Sequence, residues 1–208
     1  MNKLYLLNNK VVCAQGAGKW GDYGYMLWEG FAPEDDEGNT YIERTGPFVP
    51  EIYMASSTLI CTDAAKSFLS VAASNLAFSA AKKSKIVNLS WTQWDKDEEI
   101  NSYLDFDSID TPFDVIENGV HDPSVAASMP NLWRVEGAGI SMVRLEQLGK
   151  FNPAAPYSHL RYSQLPPESD FILVEGCGYL GWFTSEYGRK VLSAQFDDCL
   201  SFFEIPSV

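Results

Sequence analysis

The segment Thr45-Gly46-Pro47-Phe48-Val49-Pro50 restricts the backbone more than any other stretch of the chain. Each proline lacks an N–H and fixes its own φ, and each pushes the residue before it toward extended geometry. No regular element runs through such a segment, so the chain must turn there, and Gly46, Pro47 and Pro50 form a structural elbow. Before it, Tyr41–Arg44 reads as a short strand. After it, Thr58–Thr62 (TLICT) is β-branched and apolar and reads as another. No element is assigned to the residues between Pro50 and Thr58. Thr62 or Asp63 then caps a helix with Ala65, Phe68, Leu69, Ala72 and Leu76 on one face.

The rest of the chain repeats this grain of short elements. Lys3–Leu7 and Lys10–Ala14 read as two strands of a hairpin, with Asn8-Asn9 as the turn, because Asn tolerates positive φ. Lys82–Trp91 reads as a strand in which Ile86, Asn88 and Ser90 oppose Val87, Leu89 and Trp91, with one face buried. Asp122-Pro123 opens a short helix ending near Met129-Pro130. Leu132–Glu136, Ile140–Leu145, Phe171–Glu175 and Leu200–Ile205 read as strands. Thr184–Gln195 reads as a helix capped by Thr184 or Ser185. The order does not alternate as a βαβα chain would. The expected fold is α+β, with mixed or mainly antiparallel sheets and about three short helices. It forms one domain over residues 1–208, with a possible subdomain boundary near 120–135.

Charge narrows the functional classes. The chain has 208 residues and a formal net charge of −13. Such a field repels phosphate backbones and anionic membrane surfaces, so neither nucleic acid nor membrane is expected as a partner. It attracts a basic protein, although net charge also serves solubility alone. Nine acids and one base fall between Asp95 and Glu117. Tyr103, Leu104, Phe106, Ile109 and Phe113 are interleaved with them. Aromatic anchors among carboxylates suit a protein-docking surface. The contrary reading places the rings in the core and the acids in solvent. The candidate contact residues are Asp95, Asp97, Glu98, Glu99, Tyr103, Asp105, Phe106, Asp107 and Asp110. The acidic turn Glu34, Asp35, Asp36 and Glu37 is a second candidate.

Motifs for catalysis or metal binding do not assemble. His121 and His159 have no His or Cys neighbours at ligand spacing, so no metal or other cofactor is expected. An EF-hand loop from Asp95 would need glycine at its sixth position and a carboxylate at its twelfth; the chain has Ile100 and Phe106. QGAGKWG lacks the spacing that wraps a phosphate, and reads as a turn. Ser185, Glu186 and Glu175 have no nucleophile elbow nearby. A hydrolase working through carboxylates of the acidic block remains an alternative, as does a non-inhibitory adaptor. The first apolar run, Leu4–Leu7, is too short for a secretory signal core, and a cytoplasmic protein is expected. Cys13, Cys61, Cys177 and Cys199 show no CxxC pair and read as small core hydrophobes.

The run IERTGPFVPEIYMASSTLICTDAAKSFL resembles a family of small bacterial immunity proteins from polymorphic toxin systems. The shared features are an RTGPF-x-P-like elbow, a short strand and a Thr-Asp helix start, followed by a V-x-L-x-W strand, here Val87–Trp91. The match covers residues 41–94, and the remainder loosely. The resemblance implies an α+β protein, not an enzyme, that binds and neutralises a cognate toxin by stoichiometric contact. Its partner would be a basic toxin domain, a nuclease or an NAD-consuming enzyme, whose cleft the acidic segment fills. On this reading Gly46, Pro47 and Pro50 are scaffold.

Overall fold

The computed structural model describes residues 3–10, 30–89, 112–137, 139–144, 160–162, 172–177 and 181–205. These form an α+β fold with eleven strands and four helices. The strands are β1 (Leu4–Asn9), β2 (Tyr41–Gly46), β3 (Ile52–Ala55), β4 (Thr58–Thr62), β5 (Ala77–Asn88), β6 (Leu132–Glu136), β7 (Gly139–Arg144), β8 (Leu160–Tyr162), β9 (Val174–Cys177), β10 (Trp182–Ser185) and β11 (Leu200–Ile205). The helices are α1 (Asp63–Ala72), α2 (Pro112–Asn118), α3 (Pro123–Ser128) and α4 (Glu186–Phe196). One sheet has the order β11-β1-β10-β9-β7-β8, and the second has the order β2-β5-β6-β4-β3. Pairing is antiparallel except for β2 with β5 and β7 with β9.

The main core lies between the sheets. Leu7 of β1, Ile52 and Met54 of β3, Leu59 and Cys61 of β4, Val135 of β6 and Trp182 of β10 meet Leu69 of α1 and Leu192 and Phe196 of α4. A second cluster fills the opposite face of the five-stranded sheet, where Ile42, Tyr53, Ile60, Ile86 and Leu132 pack against Ala126 of α3 and Met129. The alternation Leu59 and Cys61 against Ile60 shows a strand buried on both sides, which is why TLICT carries no polar face. Helix α1 turns Ala65 and Leu69 into the main core, with Phe68 and Ala72 at its margin. It ends at Ala72, so Leu76, expected on the same helix face, packs there from the segment before β5 instead. Burying one such leucine contributes about 2 kcal/mol.

Several expectations are corrected. Asn8 and Asn9 are not a turn: β1 runs straight through them, paired with β11 as far as Asn9 and Leu200. The second strand expected there, Lys10–Ala14, lies outside the described residues except for Lys10. The unassigned stretch after the elbow holds β3, which forms a hairpin with β4 around Ser56, at φ 54°. β5 starts at Ala77, five residues before the expected position, because its first half pairs with β6. It ends at Asn88, and both Ile86 and Val87 are buried. Ile86 faces the second cluster, while Val87 lies under Gly119, where a Cβ would come within 2.5 Å of Val87 Cγ2. The apolar run FILVE is only partly strand: Ile172 and Leu173 are buried ahead of β9. The extra helix is α2, at the end of the acidic stretch, with Ile116 buried.

Residues 120–135 lie within the second sheet's framework. Asp122 N–H donates to Ile86 O at 2.7 Å, and β6 inserts between β5 and β4. Asp122 caps α3 as expected, its Oδ1 accepting from Ser124 N–H and Val125 N–H, with Pro123 in the first turn. Ser185 caps α4, accepting from Gly188 N–H. Thr62 occupies the N-cap position of α1, but its side chain makes no capping bond.

Candidate functional site

The elbow is built into the interior. Arg44 is completely buried, donating from Nε to Thr45 O at 3.0 Å and from Nη2 to Phe48 O at 3.3 Å. Its guanidinium carbon sits 4.5 Å from the centre of the Tyr53 ring. Burial pushes the Tyr53 phenol up, against the pull of Arg44. One arginine thus ties down carbonyls on both sides of Gly46-Pro47 and joins them to β3. The Gly46–Pro47 peptide bond is cis. Phe48 packs against the main core and Val49 against the second cluster, so the elbow passes between them. Pro50 is buried and Pro47 exposed.

Gly46 is required by close approach. A Cβ there would lie 2.8 Å from Ile86 Cγ2, 2.8 Å from Met129 Sδ and 3.0 Å from Val125 Cγ1. Met129 can swing away, but β-branched Ile86 cannot. Gly46→Ala is therefore expected to lower the unfolding free energy by about 2 kcal/mol, read from urea denaturation. An unchanged urea midpoint would show that α3 moves aside freely.

The turn Glu34–Asn39 is organised by one of its own acids. Asp35 Oδ1 accepts from Glu37 N–H at 3.0 Å and Asn39 N–H at 2.8 Å. Its Oδ2 accepts from Asn39 Nδ2 at 2.8 Å and the Tyr41 hydroxyl at 2.9 Å. The Asn39 side chain, with the backbone and Tyr41 donors, holds the Asp35 carboxyl down at about 2. Glu34 pairs with Arg134 at 2.5 Å. Asp36 and Glu37 are exposed. The candidate acids therefore divide: Asp35 and Glu34 hold the turn, while Asp36 and Glu37 project from it.

The Asp35 geometry has a pH consequence. A folded pKa below the unfolded value gives stability that is complete above the ordinary carboxylate range, near 4. That stability is lost as pH falls toward about 2. Carbon-detected NMR titration of Asp35 should show a midpoint near 2. A midpoint near 4 would mean that the turn is not closed by this carboxylate.

Three lysines on β5 answer to helices and rings. Lys83 Nζ donates to Ala126 O at 2.6 Å and Met129 O at 2.9 Å, at the C-terminal end of α3. Lys85 Nζ donates to Glu117 O at 2.6 Å, at the end of α2. Neither helix has a basic residue in its own last turn, so the strand supplies the charge that helix C-termini favour. Lys82 lies over the Tyr41 ring, 5.1 Å from its centre. A parallel arrangement surrounds Trp133: Lys66 sits 3.0 Å above the ring centre, and the indole N–H donates to Asp63 at 2.7 Å. Between the two aromatics, Ala80 of β5 is exposed.

A third polar cluster stands where β1 meets α4. The Tyr5 hydroxyl donates to Glu186, which also accepts from Arg189 Nη2 at 2.9 Å. Arg189 and Tyr5 hold the Glu186 carboxyl down at about 2, while burial pushes the Tyr5 phenol up to about 12. Neither group exchanges a proton near neutrality, so the cluster binds α4 to β1 rather than offering an acid–base pair. His121 serves structure as well, its Nδ1 accepting from Ile86 N–H at 2.9 Å. Cys61 and Cys199 are free and buried, and burial pushes the Cys61 thiol up to about 12. Among the described residues, no group of three metal-ligating side chains forms, and no helix is long and apolar enough to cross a membrane.

The main predicted contact set, Asp95, Asp97, Glu98, Glu99, Tyr103, Asp105, Phe106, Asp107 and Asp110, lies outside the described residues. So do His159 and Cys13. Arg44, Lys83 and Lys85 escaped the sequence reading. The signal for the lysines was present: a basic run, KKSK, in a strand preceding two helices without basic ends. Arg44 gave no such sign, since an arginine in a strand ordinarily faces water. No family model, curated protein or solved structure matches the chain. The resemblance of the elbow stretch rests on its residues alone.

Proposed function

We propose that this chain is an immunity protein, acting in the bacterial cytoplasm by binding a cognate toxin domain in a stoichiometric complex. The observation that carries the reading is the charge distribution: a net −13, with nine of the acids concentrated between Asp95 and Glu117 among aromatic residues. A dense carboxylate surface steers a basic cleft into register and competes with its anionic substrate. The elbow adds support. Of the residues that carry the resemblance, Arg44 is engaged in backbone hydrogen bonds and Gly46 in close packing, as scaffold residues are. Asp36 and Glu37, projecting from a turn closed by Asp35, offer a second contact.

The test is co-expression with the product of the adjacent upstream gene. Rescue of growth, with a defined complex on gel filtration, is the expected result. The charge-reversed variant Asp97→Lys/Glu98→Lys/Glu99→Lys should bind that product at least tenfold more weakly by calorimetry, with a shallower salt dependence. Unchanged affinity would remove the acidic block from the contact. Failure of rescue, or turnover of a substrate by the purified chain, would overturn the immunity reading.

A further inference from the structure

We draw no further inference here: the strongest candidate, the open face of β5 around Ala80 between the Lys66–Trp133–Asp63 and Lys82–Tyr41–Asp35 clusters, engages its charges and rings with one another, and nothing in the structure shows what covers it.

Discussion

Asn9→Leu should destabilise the protein by about 3 kcal/mol, although leucine has the same number of side-chain heavy atoms as asparagine and suits a buried site. Asn9 is completely buried. Its Nδ2 donates to Met54 O at 2.8 Å, and its Oδ1 accepts from Met54 N–H at 2.6 Å. β3 is the outer strand of its sheet, and Met54 would otherwise bury its outward N–H and C=O without a ladder partner. The amide side chain acts as a single residue of a neighbouring strand and links the two sheets. Orphaning both groups costs about 1–3 kcal/mol each, and the apolar gain from leucine offsets only part of this. Urea unfolding measures the loss. Asn9→Asp provides a second arm. Its carboxylate keeps the acceptor for Met54 N–H but faces Met54 O without a donor. That variant should be at least as unstable at neutral pH and should recover partly in mild acid, once the carboxyl regains a proton. Wild-type stability in Asn9→Leu would show that the sheets hold together without this joint.

Arg44→Ala should cost a similar amount, about 3–4 kcal/mol. The substitution empties space against Tyr53 and withdraws the donors to the Thr45 and Phe48 carbonyls. An opposing effect must be weighed, because removing a buried cation relieves its desolvation and can be neutral when an apolar side chain fills the volume. Arg44→Met separates the two effects: methionine refills the space and satisfies neither carbonyl. If the hydrogen bonds dominate, both variants unfold at lower urea concentration. If Arg44→Met matches the wild type while Arg44→Ala does not, packing alone explains the residue. Since the elbow runs between both apolar clusters, its loss should also broaden the transition.

The elements best read from the chain were those whose local chemistry and tertiary role agree. TLICT is a strand in any environment that buries both its faces. Asp122-Pro123 and Ser185 cap helices through atoms within three residues of themselves. The readings that failed were those in which a distant partner reversed a local preference. Asn8-Asn9 carries a turn signal, yet β11 and Met54 draw both residues into β1. IYMA is short and follows two prolines, yet pairing with β4 on one side and the Asn9 amide of β1 on the other hold it as a strand. The start of β5, Ala77–Ala81, is rich in alanine, has little intrinsic strand preference and owes its form to β6.

The candidate site shows the same division. The identity of the acidic residues, their density and the sign of the field they create were fixed by composition, because charge adds up whatever the fold. Which of those acids remain available to a partner was decided by tertiary geometry. Asp35 meets Asn39 and Tyr41 within its own turn, and Glu37 meets the Asn39 amide at 3.4 Å, but Glu34 is engaged by Arg134 of β6, a hundred residues away. A hydrogen bond depends on separations of a few tenths of an ångström, and residue order alone does not set such distances across a hundred residues of chain.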